Sequence, residues 1–365
     1  VIINNLWNEI IVGELFGWIQ GLVEGSSMSE WAIGLINNGI IDGVGAVLSF
    51  LPPILVLFLF FSILEDSGYM ARIAFILDRM FRKFGLSGRA FLPMIMGFGC
   101  SVPAMINTRT LADEKERTAT IRVIPFFSCG AKLPILTAVA GGIVAFFNVG
   151  NADLITYAMY ILGIVTAIVS VLLMRSTTLK GETPPFIMEL PAYHAPQFKN
   201  LMAHLWDKTK HFVKKAFTII FAASIVIWFL QTFDARFNVV SMPESSLLAA
   251  LGSIFAPLFA PLGFADWRVS TALITGFTAK ESVVSTLTLL LGGEVSSIGT
   301  LFTPFTAVVF LVFVLLYTPC VAAIATVKRE MGSTRAAITT ALTQCVIAWL
   351  IAFAVRCVGL AFGLA

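Results

Sequence analysis

Six apolar runs, at residues 43–65, 120–147, 154–174, 216–233, 301–327 and 336–363, set the terms for any fold of this chain of 365 residues. Each is close to or above the roughly 20 residues that an α-helix needs to cross a hydrocarbon layer. Two further apolar stretches, 90–106 and 269–291, are cut by Pro, Gly or charge, and a shorter run at 247–262 ends in a bend at Pro257 and Pro261. Only 12% of residues are charged and 58% are apolar, whereas about a quarter are charged in a soluble domain. So few charges cannot coat a globule in water, which excludes a soluble enzyme, a disordered chain and a nucleic-acid binder. The expected fold class is an all-α, polytopic membrane protein.

Basic residues orient the spans. Residues 66–122 hold nine Lys and Arg, 175–215 hold seven and 328–335 hold three, of 24 in all; the connections 148–153 and 292–300 hold none. By the positive-inside rule the three basic regions are cytoplasmic and the two bare connections external. Segment 43–65 then runs inward, 90–106 dips from the cytoplasm and returns, 120–147 runs out and 154–174 back. Segment 216–233 runs out, 247–291 crosses twice or dips, 301–327 comes in and 336–363 leaves. The first 42 residues carry Glu9, Glu14, Glu24, Glu30 and Asp42 but no Lys or Arg. With Trp7, Trp18 and Trp31 as anchors, they are expected to form an external interfacial segment. The chain begins at Val1 without a visible signal peptide, and an upstream part is expected to be missing.

Two stretches share a pattern: Arg89, seven residues, Gly97-Phe98; and Arg268, seven residues, Gly276-Phe277. Each precedes a span with a Pro–Cys pairing, Pro125 to Cys129 and Pro319-Cys320. Their leading helices run in opposite directions, so an inverted repeat with broken or re-entrant helices is expected, of the kind that places a transport site at the midplane. The expected division is an external segment 1–42, a first repeat 43–147, a connecting helix and basic cytoplasmic loop 154–215, a second repeat 216–330 and a C-terminal transmembrane helix 336–363. Irregular backbone survives at membrane depth only inside protein or beside water, and its free carbonyls can face a cation.

Cys100, Cys129 and Cys320 each lie at or next to a Pro or Gly break, Cys129 one turn after Pro125. Thiolates suit transition metals and serve Na⁺, Mg²⁺ or sugars poorly; the plain alternative is three small core residues. Cys345 and Cys357 lie in an unbroken run and read as core. Glu65-Asp66 closes the first span, either as a solvated helix end, as a partner of Arg72 or as a functional pair. Lys280-Glu281 falls inside an apolar stretch, where each charge is costly unless paired; it reads as a structural ion pair or as a gating or coordinating element. His194, His204 and His211 read as surface residues of the cytoplasmic loop. No phosphate-binding G-x-x-x-x-G-K-[ST], HExxH, CxxC or G-x-S-x-G occurs.

Seven motifs, LEDSGYMARI from Leu64, GFGCSVPAMI from Gly97, RTL from Arg109, PFFSCGAKLPI from Pro125, TPPFIMELPAYHA from Thr183, GFTAKESV from Gly276 and LLYTPCV from Leu315, occur in that order. Together they resemble the membrane domain of the bacterial ferrous iron transporter family FeoB, whose two Gate repeats correspond to the two units above. The resemblance implies a non-enzymatic permease domain that imports Fe²⁺ across the bacterial inner membrane, with Fe²⁺ as transported substrate. It places the family's iron-pathway cysteines on Cys100, Cys129 and Cys320. After Cys100 this chain has Ser101 where many members have Asn. GTP enters only through an N-terminal GTPase domain of the full-length protein, which this stretch does not contain. The lipid bilayer, that GTPase domain, small accessory proteins and further copies of the chain are the implied partners. A nucleoside-type solute carrier, which would want Asn, Gln and Glu on half-helices, and a non-transporting membrane scaffold are the competing functions.

Overall fold

A chain that must satisfy its backbone without water does so by helices, and helices account for nearly all of this one. The computed structural model describes residues 6–25, 29–49, 51–147, 150–179, 193, 197–234, 236, 238–240, 243–291 and 300–363. Among them the only strand-like feature is a single bridge between Phe233 and Val239. His194 and the side chains of His204 and His211 lie outside the described residues, as do connections 148–149 and 292–299.

Residues 1–71 with 190–248 form one compact unit, and 72–189 with 249–365 form a second. In the first, a π-helix Asn8–Leu15 leads into α1 (Phe16–Glu24). The helical stretch that holds segment 43–65 starts earlier, giving α2 (Trp31–Asp66). Glycines on α2 admit a close neighbour: a Cβ on Gly43 would lie 3.1 Å from Cβ of Ser224, and Gly39 faces the ring of the buried Trp228. Ser224 and Trp228 belong to α9 (Phe198–Thr232), whose apolar part is Phe217–Thr232. Small residues let helix backbones approach where dispersion must do the packing.

The second unit contains α3 (Tyr69–Lys83) from Arg72 onward, α4 (Phe91–Gly99), α5 (Ser101–Asn107), α6 (Glu114–Val123), α7 (Leu133–Phe147) and α8 (Ala152–Ser176). After the return from α9 come α10 (Leu247–Phe259), α11 (Trp267–Thr278), α12 (Ser282–Leu290), α13 (Pro304–Leu316), α14 (Val321–Glu330) and α15 (Thr334–Ala361). Four helical stretches, Trp31–Asp66, Ala152–Ser176, Pro304–Glu330 and Thr334–Ala361, are long and apolar enough to cross a membrane. Leu247–Leu262 and Trp267–Thr278 meet at 106°, a bent pair that could make a fifth. The central element is α13–α14: 78% of its apolar window is buried, against 33% for α8 and 22% for α15. A helix apolar all round belongs inside. Here Phe310, Leu311 and Leu315 of α13 pack with Phe126, Ile135, Leu136 and Val139.

Two expected continuous spans are broken. The run 120–147 ends helically at Val123, makes a 3₁₀ turn at Ile124–Phe126 and resumes only at Leu133. The run 301–327 stops at Leu316 and resumes at Val321. Proline explains the second: Pro319 has no N–H to give the Leu315 carbonyl and disfavours helix at the residue before it.

Candidate functional site

Four helix breaks of the second unit carry residues singled out from sequence. At the first, Cys100 is extended (φ −154°, ψ 130°) between α4 and α5. The second, between the 3₁₀ turn Ile124–Phe126 and α7, holds Cys129. The third lies between α11 and α12 and holds Lys280 and Glu281. The fourth, between α13 and α14, ends at Cys320, the N-cap of α14. The two Arg-x7-Gly-Phe stretches share one register: Cys100 follows Gly97 by three positions and Ala279 follows Gly276 by three. Ala279 is extended like Cys100, with φ −144° and ψ 126°.

Short contacts draw the breaks together. The Gly130 N–H, next to Cys129, donates to the Gly99 carbonyl, next to Cys100, at 3.1 Å. Lys132 Nζ donates to the Pro125 and Phe127 carbonyls of the second break at 2.7 and 3.2 Å. It also donates to Leu315 O, at the end of α13, at 2.6 Å. Lys280 Nζ stands 3.0 Å from the ring centroid of Tyr317, in the fourth break, a cation–π arrangement. The thiols of Cys100, Cys129 and Cys320 are within electrostatic range of one another, and those of Cys129 and Cys320 within range of Lys132 and Lys280. All three cysteines are free and half-buried. Among the described residues no three His, Cys, Asp or Glu groups close into a metal cage.

Lys280 forms no ion pair with Glu281 among the described residues, so that expectation is replaced by the ring contact. Its Nζ, Tyr317 OH, Thr318 Oγ1 and Ser128 Oγ are buried without a hydrogen-bond partner among the described residues. Such orphans are rare in a folded interior, and their gathering at three breaks marks a polar seam in an apolar unit. Glu65 is exposed and Asp66 half-buried at the end of α2, in the other unit.

Four features escaped the sequence. Lys132 is 2% exposed, yet reads in sequence as an ordinary basic residue. Tyr317 is the one tyrosine in an apolar run that also holds four phenylalanines. Cys345, on the unbroken α15, lies within electrostatic range of Lys280 and Tyr317. The fourth is a clamp beyond the breaks. Arg109 grips Glu330 with two bonds, Nε to Oε2 at 2.8 Å and Nη2 to Oε1 at 2.7 Å. Arg117 Nη2 adds bonds to Oε2 at 2.8 Å and to the Glu330 carbonyl at 3.2 Å. The clamp joins the ends of the two half-helices, α5 and α14, that follow Cys100 and Cys320. A separation of 221 residues hides such a pair.

One buried span broken at polar, thiol-bearing positions, beside three further helical stretches long and apolar enough to cross a membrane, fits a multi-pass helical membrane protein. Residues 47–144 and 213–334 match the family model Gate, described as nucleoside recognition, and 156–208 match the C terminus of ferrous iron transport protein B. The chain belongs to the Gate family. It is 45% identical over 303 residues to the Fe(2+) transporter FeoB of Staphylococcus aureus (strain COL), covering 82% of this chain and 45% of the relative. The Fe(2+) transporter FeoB of Methanocaldococcus jannaschii is 39% identical over 355 residues, covering 94% of this chain and 52% of that protein. A Porphyromonas gingivalis relative named Fe(2+) transport protein A/Fe(2+) transporter FeoB fusion protein is 35% identical over 398 aligned positions, 95% of this chain and 47% of the relative. The chain thus spans about half the length of the curated relatives it matches.

Proposed function

We propose that this chain is the permease part of an Fe²⁺ importer of the bacterial inner membrane, passing the ion through a path of thiols and free carbonyls. The observation that carries this reading is the linkage of the breaks at Cys100, Cys129 and Cys320 by backbone and lysine contacts around the buried α13. Thiol and imidazole ligands select borderline transition metals, and the relatives are named Fe(2+) transporters. A transport site must release its ion, so stepwise coordination by thiols and carbonyls suits it better than a closed cage. The shared register of Cys100 and Ala279 supports two repeat units, 43–147 and 216–330, inverted as the charge pattern requires. Lys280 and Glu281 act in gating within the second unit, and Glu65 and Asp66 at the end of α2. Energy from GTP enters through a GTPase domain of the full-length protein. The fusion relative supports a small accessory protein as partner, and assembly of several copies belongs to the same proposal.

The test is anaerobic Fe²⁺ uptake into proteoliposomes, with nucleosides offered as the competing substrate. Cys100→Ser and Cys129→Ser are each expected to cut uptake by about tenfold or more, the scale of losing a partner in a metal site. Cys320→Ser joins them, while Cys357→Ser, at an exposed position, stays near the parent rate. Equal uptake by all four variants, or uptake of nucleoside in place of iron, would overturn the reading.

A further inference from the structure

A buried ammonium is costly unless each of its three N–H bonds finds an acceptor. Lys132 finds three, and all are main-chain carbonyls: Pro125, Phe127 and Leu315 at 2.7, 3.2 and 2.6 Å. No carboxylate pairs with it among the described residues. The acceptors are free for a reason written in the backbone. The helical partner of the Leu315 carbonyl would be the N–H of residue 319, which is proline. Pro125 and Phe127 lie where helix gives way to the extended stretch before α7. Three neutral oxygens around one buried monovalent cation is the arrangement by which carbonyl rings replace the hydration shell of an ion. Here the cation is tethered to the protein. A second lysine, Lys280, lies within electrostatic range of the first. It has no hydrogen-bond partner among the described residues and rests on the Tyr317 ring. Lys132 therefore fills the cradle and Lys280 lies outside it, both within electrostatic range of the thiols of Cys129 and Cys320.

We propose that this carbonyl cradle is a binding site for a small monovalent cation of ammonium or potassium size, and that Lys132 is its tethered occupant. The ammonium closes the path between the second and fourth breaks until a divalent ion, entering among the thiols, drives it out by like-charge repulsion. The displacement step rests on the iron reading above; the cation site does not. A purely structural staple would behave differently, because its loss could not be mended by a free cation.

Two measurements on the purified full chain in lipid nanodiscs test this. Lys132→Ala removes the ammonium and leaves the oxygens. It is expected to lower the thermal stability, with recovery on adding millimolar methylammonium or K⁺ and none on adding tetramethylammonium, which is too large. In the parent protein, anaerobic Fe²⁺ is expected to raise labelling of Lys132 by an amine reagent several-fold, read by peptide mass spectrometry. Failure of rescue overturns the cation site, and labelling that Fe²⁺ leaves unchanged in protein that takes up iron overturns the plug. Should Lys132→Ala not be recovered folded, the labelling of the parent decides alone. Fe²⁺ uptake is measured on the same purified protein reconstituted into proteoliposomes. Uptake with an unmoved Lys132 sinks the plug and spares the iron reading, whereas absent uptake sinks the iron reading and leaves the rescue to decide the cation site.

Discussion

Glu330 shows how much of this membrane unit hangs on single polar side chains. Its carboxylate is only 1% exposed and holds two guanidinium groups that are themselves 50% and 29% exposed, those of Arg109 and Arg117. Hydrogen bonds to charged groups contribute about 1.5–3 kcal/mol each, less where water competes. Glu330→Ala is expected to destabilise the protein by about 2–3 kcal/mol, since it frees both arginines at once. Arg109→Ala should cost less, because water already solvates half of that side chain and Arg117 still answers the carboxylate. Monodispersity after a heating series, read by size-exclusion chromatography, would show the order; equal losses would mean that the clamp does not hold the half-helices. Legibility at this scale followed chemistry within short windows. The three break cysteines were visible because each neighbours a Pro or Gly. Lys132 was not: a lysine after Cys-Gly-Ala says nothing of three carbonyls, one of them 183 residues away. For Lys280 the cost of burial was readable but its answer was not. Glu281 is adjacent in sequence, yet the ring of Tyr317 meets the ammonium instead.

At the scale of elements, apolar length found the helices but not how far the Pro and Gly positions beside Cys129 and Cys320 interrupt two of them. Runs 120–147 and 301–327 read as single spans because Phe, Ser and Tyr are no obstacle to a hydropathy count, and the two prolines in each read as kinks. The breaks at Cys100 and Lys280 were legible because glycine, proline or charge interrupts the apolar pattern itself. Close packing of the half-helices can be tested at Gly276, where α11 turns into the third break. A Cβ there would lie 2.6 Å from the Tyr317 hydroxyl and would strike the Val283 side chain. Gly276→Ala is expected to cost about 1–3 kcal/mol through overpacking and to shift the ring on which Lys280 rests. At Gly141, in α7, a Cβ would meet nothing within 4 Å, so Gly141→Ala should be neutral or stabilising by up to about 1 kcal/mol through helix propensity. Thermal stability of the two variants side by side checks the pair; a harmless Gly276→Ala would mean that α11 and α12 can part without cost.

For the whole molecule, charge carries the argument that packing cannot. The helices fix which residues meet but not which end faces the cytoplasm, because side-chain packing is the same whichever way a bundle sits in lipid. Orientation comes from the 24 basic residues, nine of them in 66–122, seven in 175–215 and three in 328–335. The positive-inside rule puts those regions in the cytoplasm. With that orientation expected, the clamp of Arg109, Arg117 and Glu330 would face the cytoplasm, and the thiols at the other ends of α5 and α14 would lie deeper. Two exposed positions discriminate: Asn151, the N-cap of α8, on the external side, and Lys199, near the start of α9, on the cytoplasmic side. In a background where Cys357, the exposed native thiol, is replaced by Ser, Asn151→Cys in intact cells should react with a membrane-impermeant maleimide. Lys199→Cys should react only after the cells are opened. The sign is fixed by the loops alone, so it does not depend on iron, on GTP or on oligomeric state. Labelling of both from one face would put the two repeat units in the same orientation. The broken helices would then have to be explained without inversion, as two tandem copies whose cysteines approach the path from the same side.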